Sequence, residues 1–255
     1  LAPITETGWS AVDGEACSVF QTNLSARRFV DLVGPKGWDF SAVNLGRLDE
    51  LRTDGDVHWG LRQVSPLVEI RVPFVVSRWA LDDLHRGADN VDLGTVRAAA
   101  LAFARFEDRV VYQGLADAHI EGLIAASEHD AVPLGLANDA TAEAIATAVI
   151  RLKDAGVDGP YALVLGDELY RRIAGDQDGY PLRQQLSKLV GSEPAYSPGL
   201  EGGLLISMRG GDFELTLGAD VSIGFDHTEG DDVHLYITES FTFRVTGSEA
   251  VVVLR

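Results

Sequence analysis

The side chains able to carry chemistry in this chain are six histidines (His58, His85, His119, His129, His227 and His234), one cysteine (Cys17) and 39 carboxylates. Histidines suit metal ligation or proton transfer, but no two stand at a ligand spacing such as i, i+4 on one helix. His227 and His234 flank an acidic loop with Asp226, Glu229, Asp231 and Asp232, which could hold a cation weakly. The plainer reading is a solvated hairpin tip, because few hard ligands are fixed there. Asp82 with Asp83, and Asp167 with Glu168, are carboxylate pairs at helix starts, where acids usually answer the helix dipole rather than form acid–base dyads. A lone cysteine excludes an internal disulfide and any CxxC motif. The phosphate loop G-x-x-x-x-G-K-[ST], a G-x-G-x-x-G after a strand, HExxH and G-x-S-x-G are all absent. Serines and histidines are numerous enough to leave a hydrolytic triad open, yet no spacing points to one. The expectation is a chain with no catalytic residue and no metal site.

Bulk composition bounds the rest. With 255 residues, 46% hydrophobic and 24% charged, the chain can build one large domain or two small ones. Its net charge of −18 repels phosphate backbones, so no nucleic-acid partner is expected. No apolar run reaches the length of a membrane span; even residues 140–152 are broken by Thr141, Glu143, Thr147 and Arg151. No basic-then-apolar signal segment opens the sequence, and there is no initiator Met, so a cytoplasmic chain lacking a short N-terminal piece is expected.

The elements that must position any site follow from periodicity. Trp9, Val12, Ala16, Val19 and Phe20 share one helical face, with Thr5 or Thr7 as its cap. Asp54-Gly55 marks a hairpin, with Val57, Trp59 and Leu61 alternating beyond it. Val68, Ile70, Val72 and Phe74 then alternate with Glu69, Arg71 and Pro73, so residues 41–75 read as a two-stranded ribbon. A lone ribbon is marginal in water and invites pairing, either with its own domain or with another chain. Val96, Ala99, Phe103, Phe106 and Val110 form the stripe of a long helix starting at Asn90 or Asp92 and ending at Gly114. A second helix runs from about Asp139 to Ala155, and short helices are expected at 167–173 and 182–190. Residues 161–165 read as a buried strand, and 204–254 as mostly strands. The class is α+β with segregated strands and helices.

Several stretches, taken in order, resemble the encapsulin family. They are Leu1-Ala-Pro-Ile-Thr5 with Trp9, Ala26-Arg-Arg-Phe-Val-Asp31, Gly34-Pro35 with Gly37-Trp38, and Leu81-Asp-Asp-Leu-His-Arg-Gly87. Phe106-Glu-Asp108 with Gly114, Gly156-Val-Asp-Gly-Pro-Tyr161 and Gly179-Tyr-Pro-Leu182 follow, then Arg209-Gly-Gly-Asp-Phe213, Asp220-Val-Ser-Ile-Gly224 and Thr238-Glu-Ser-Phe-Thr-Phe243. The match spans almost the whole chain and is most similar to the linocin-like, actinobacterial group of family 1.

This resemblance implies a tailed-phage major-capsid-like fold. An N-terminal helix and arm (1–40), an extended loop (41–75), a peripheral domain with its spine helix (76–117), an axial domain (118–210) and return strands to the peripheral domain (211–255) would compose it. It also implies a shell subunit that assembles into an icosahedral, T=1 compartment around a cargo enzyme held by its C-terminal targeting peptide. The cargo would be a dye-decolorising peroxidase, alternatively a ferritin-like protein. Phe20, Arg27, Phe29, Asp31 and Ile223 would bind that peptide, unless they simply pack the helix onto its domain. Asp176, Gln177, Asp178, Gly179 and Tyr180 would line a pore whose repeated carboxylates favour cations, the alternative being a solvated loop. Some relatives hold a flavin near the tryptophan matching Trp79, with an arginine at the position of Arg71; the plainer role of that tryptophan is packing. The alternatives are a phage major capsid protein, or a secreted bacteriocin- or protease-like protein. The −18 charge opposes a genome shell, and the lack of a signal segment or nucleophile opposes secretion and proteolysis.

Overall fold

The computed structural model describes residues 2–135, 137–175 and 182–255. Helix α1 (Glu6–Asn23) begins where the Thr5 hydroxyl accepts a hydrogen bond from the Gly8 amide at 3.2 Å. It buries Val12, Ala16 and Val19, and a single 3-10 turn at Ala26–Arg28 hands the chain to strand β1 (Asp31–Val33). A ribbon follows. Strands β2 (Ala42–Leu48) and β5 (Arg62–Pro66) pair antiparallel, and β3 (Arg52–Asp54) with β4 (Val57–Trp59) forms its tip around Gly55, whose φ of 59° suits glycine. Strand β6 (Val68–Ser77) leads into helix α2 (Arg78–His85) and the long helix α3 (Gly94–Gln113). Gly114, at φ 88°, ends α3.

The middle of the chain makes a second layer. A two-residue ladder, β7 (Gly114–Leu115) with β8 (Ile120–Glu121), leads through α4 (Leu123–Ala126) to α5 (Asn138–Asp154). Gly156, at φ 76°, follows the end of α5, and strand β9 (Tyr161–Leu165) is buried at every position. Helices α6 (Asp167–Ala174) and α7 (Leu182–Val190) cover it, burying Leu169, Ile173, Leu182, Leu186 and Val190. Strands β10 (Ala195–Tyr196) and β11 (Gly203–Ser207) flank β9.

The return strands are β12 (Phe213–Leu217), β13 (Ser222–Glu229), β14 (Asp232–Val245) and β15 (Val251–Leu254). One sheet runs β1-β12-β14-β13, and β6 also pairs along β14; the other runs β10-β9-β11-β15. Three differences from periodicity stand out. Alternation alone puts residues 68–74 in the ribbon, whereas β6 pairs with β14 from Val68 opposite Phe241 to Ser77 opposite Asp232. The reason is burial: Phe74 and Val76 find a core against α3, which the ribbon lacks. Alternation also breaks at Glu239-Ser240, yet β14 continues through them, because Glu239 meets Arg27 and the Ser240 hydroxyl accepts from the Ala219 amide. Finally, β15 joins the second sheet through β11, so the chain ends away from the other return strands. Among the described residues no helix is long and apolar enough to cross a membrane.

Candidate functional site

Helix α1 turns two faces to the protein. Val12, Ala16 and Val19 sink into the core, while Trp9, Asp13, Ala16, Cys17 and Phe20 border an open groove of about 550 Å³. The opposite wall is Val221, Ser222 and Ile223, at the start of β13. Phe20 is fixed by an edge-on contact with Phe103 of α3, ring centroids 5.5 Å apart. Because β13 ends its sheet, one side of its backbone faces outward beside the groove. An extended, mainly apolar segment would find here a hydrophobic trough, an unpaired strand edge and one acidic group, Asp13.

Phe20 and Ile223 meet in this groove. Arg27, Phe29 and Asp31 do not line it. Arg27 clasps Glu107 through Nε (2.9 Å) and Nη2 (2.6 Å), reaches Glu239 at 2.6 Å, and donates to Asp220 at 3.0 Å. Glu107 and Glu239 are fully buried. Burial alone would lower the Arg27 guanidinium, but Glu107 and Glu239 outweigh it and hold it above its ordinary value. Burial and the neighbouring Glu107 push the Glu239 carboxyl up, against the pull of Arg27. Phe29 is partly buried against the core cluster that includes Phe213, Leu215 and the residues of β9. The Asp31 carboxylate accepts from the Gly211 amide at 2.6 Å, closing the turn before β12.

A second buried cluster ties the end of α1 to α3. The Ser25 hydroxyl donates to Asp108 at 2.5 Å and lies 2.8 Å from the Tyr112 and Ser197 hydroxyls. The Ser25 and Ala26 amides also donate to Asp108, at 3.2 and 2.9 Å. Burial pushes the Asp108 carboxyl up to about 6, and these hydrogen bonds pull back against it. The Tyr112 phenol is raised by burial and by Asp108.

Arg71 and Trp79 do not converge within one chain. Arg71 lies over the Tyr236 ring, opposite Thr238, while Trp79 donates to Asp231 at 3.0 Å, beside the Ser77–Asp232 pair. Ser77 lies six positions along the strand from Arg71, roughly 20 Å. The two side chains therefore take separate partners within one chain. Asp176, Gln177, Asp178, Gly179 and Tyr180 lie outside the described residues. The groove residues Asp13 and Cys17 carry no sequence signal that points to a groove, and Val221 and Ser222 are marked only by the resemblance of residues 220–224. Periodicity marks Trp9, Ala16 and Phe20, but reads them as one core stripe. Glu107 and Glu239 could not be paired with Arg27 from spacing, since they lie 80 and 212 positions away.

Comparison with known proteins identifies the family and the fold. A family model described as an encapsulating protein for peroxidase matches residues 1–242. Type 1 encapsulin shell proteins are similar along the entire chain. That of Rhodospirillum rubrum is 42% identical, covering 100% of this chain and 94% of the relative. Those of Mycobacterium tuberculosis and Brevibacterium linens are 38% and 39% identical, each covering 100% of this chain and 97% of the relative. Among solved structures, a virus-like particle from Pyrococcus furiosus superposes with a TM-score of 0.67 at 15% identity, covering 97% of this chain and 99% of its own. The capsid of Myoviridae phage XM1 gives 0.58 at 16%, covering 90% of each chain. The α+β, tailed-phage capsid-like fold is thereby established, and the relatives are named for a structural role rather than a catalytic one.

Proposed function

This chain belongs to the encapsulin shell-protein family, and from that premise we propose that it closes into an icosahedral, T=1 cytoplasmic compartment whose α1–β13 groove holds the C-terminal targeting peptide of a cargo enzyme. The observation that carries the proposal is the groove itself: an open apolar trough between α1 and an outermost strand, lined by Trp9, Phe20, Val221 and Ile223. Such a site suits an extended peptide, whose backbone can pair with the strand edge while its side chains enter the trough. A peroxidase, of the dye-decolorising type, is the first candidate cargo, the matching family being described as encapsulating a peroxidase; a ferritin-like protein is the second. The carboxylates of Asp176 and Asp178 would make the shell's pores acidic.

Assembly is supported by the ribbon. Leu48, Leu51, Val57, Trp59, Leu61 and Val64 are exposed along it, an apolar surface that one chain leaves wet. Burying it between copies would supply cohesion against the −18 charge of each chain. The same charge disfavours the phage-capsid reading, in which the cavity would hold nucleic acid.

The test is co-production with a reporter protein carrying the C-terminal peptide of the proposed peroxidase cargo. Wild-type particles are expected to retain the reporter, and Ile223→Asp particles to lose it while still assembling. Reporter retained equally by Ile223→Asp particles would rule the groove out.

A further inference from the structure

The acidic hairpin that joins β13 to β14 carries chemistry its spacing does not announce. The strands pair in one register from Ser222–Thr238 to Phe225–Leu235, then slip by one residue, so that His227 faces His234 and Glu229 faces Asp232. The slip is a β-bulge at Asp226. Strict alternation from Ile223 and Phe225 would turn His227 toward the core. The bulge instead turns His227 and Glu229 to the outer face, where His234 lies. The two imidazoles stack, with centroids 4.2 Å apart and planes within 9° of parallel. One ligand atom from each of His227, Glu229 and His234 falls within 4.8 Å of the others. Behind them, His227 Nδ1 lies 3.0 Å from an Asp226 carboxylate oxygen. That contact leaves Nε2 as the free donor, the carboxylate–histidine arrangement that orients metal ligands.

Two further features set this hairpin apart from an ordinary solvated tip. Glu229 and Asp232 are like charges directly opposite one another, an unfavourable cross-strand pair. The hairpin itself, Asp220 to Thr238, holds no lysine or arginine, and Arg78 adjoins it from the neighbouring strand end. The tip is also held in place: the Arg78 amide donates to the Asp231 carbonyl at 2.7 Å, and Trp79 to the Asp231 carboxylate at 3.0 Å. The donors therefore stand on a braced ribbon rather than a free loop.

We propose that His227, His234 and Glu229 form a binding site for a zinc-class divalent cation, with Asp226 orienting His227 and at least one coordination position left to water. Two imidazole nitrogens and one carboxylate are the donor set of a borderline-soft ion, not of calcium or magnesium, which take oxygen ligands. Tetrahedral zinc, with bonds of about 2.0–2.1 Å, holds its ligand atoms roughly 3.3 Å apart. The three donors lie within 4.8 Å of one another, so binding would require the exposed side chains, the stacked imidazoles among them, to rotate inward onto the ion. The site is independent of the cargo groove and would recur once per chain.

The experiment uses assembled, chelator-treated protein dialysed against zinc chloride in the presence of excess calcium, with bound metal counted by mass spectrometry. About one zinc per chain is expected in the wild type, and a cobalt-loaded sample should show ligand-field absorption of a nitrogen-ligated ion. The double variant His227→Ala, His234→Ala should lose the zinc, and Asp226→Asn should weaken binding roughly ten- to hundred-fold. Should the double variant misfold, Glu229→Gln tests the same site, with an expected loss of at least about tenfold in affinity. Zinc displaced by calcium, or retained in full by either ligand variant, would assign the binding to the diffuse acidic surface and overturn the proposal; so would no zinc uptake at all.

Discussion

Arg27 shows how a residue matched by resemblance can belong to the frame of a site rather than to its surface. Its guanidinium is spent on Glu107, Glu239 and Asp220, joining the turn after α1 to α3 and β14. Removing it leaves the buried Glu107 carboxylate without a counter-charge and Glu239 without its donor, so Arg27→Ala should cost about 3–5 kcal/mol, read as a fall in denaturation midpoint. Glu239→Gln should cost no more than about 1 kcal/mol, because burial and Glu107 already raise the Glu239 carboxyl toward its neutral form. Equal losses in the two variants would contradict this division. Asp108 makes a pH prediction of unusual sign. Its folded value, about 6, lies above its ordinary 3.8, so the folded chain takes up a proton that the unfolded chain does not. The stability contributed by this group is full below about 3.8 and is lost as pH rises through about 6. Melting midpoints of wild type and Asp108→Asn, followed from about pH 5 to about pH 7, should therefore diverge in slope, the wild type losing more on going up. Parallel curves would show that Asp108 does not titrate there. Neither cluster was legible from sequence, because each joins residues separated by 80 positions or more.

At the scale of elements, legibility followed local chemistry. Gly114 and Gly156 marked the ends of α3 and α5, and the apolar run at residues 161–165 is β9 to the residue. What periodicity could not supply was partners. It recognised β6 as a strand but not that β14 would claim it, and it treated the groove face of α1 as one with its buried face. Strand β13 was the hardest to read, since Gly224 interrupts its side-chain pattern and the bulge at Asp226 reverses its faces. The hairpin signal at Asp54-Gly55 did mark the ribbon tip. That tip is where assembly should be most sensitive. Leu51→Asp with Trp59→Asp puts two further charges on an exposed surface, so the isolated fold should keep its circular dichroism while particles fail to form. Gel filtration showing particles of wild-type size would exclude the ribbon from the contacts that hold copies together.

For the whole molecule, net charge sets the expectation about contents. A chain of charge −18 is a poor partner for nucleic acid and a self-repelling building block, so shared apolar surface has to do the joining. The family resemblance carried the capsid-like fold, which no count of strands and helices could single out from other α+β arrangements. The most direct test of the shell account is electron microscopy of the purified protein, with mass spectrometry and absorbance of the particle contents. Closed particles of one size holding protein and no nucleic acid are the predicted result. Monomers, or particles filled with nucleic acid, would contradict it.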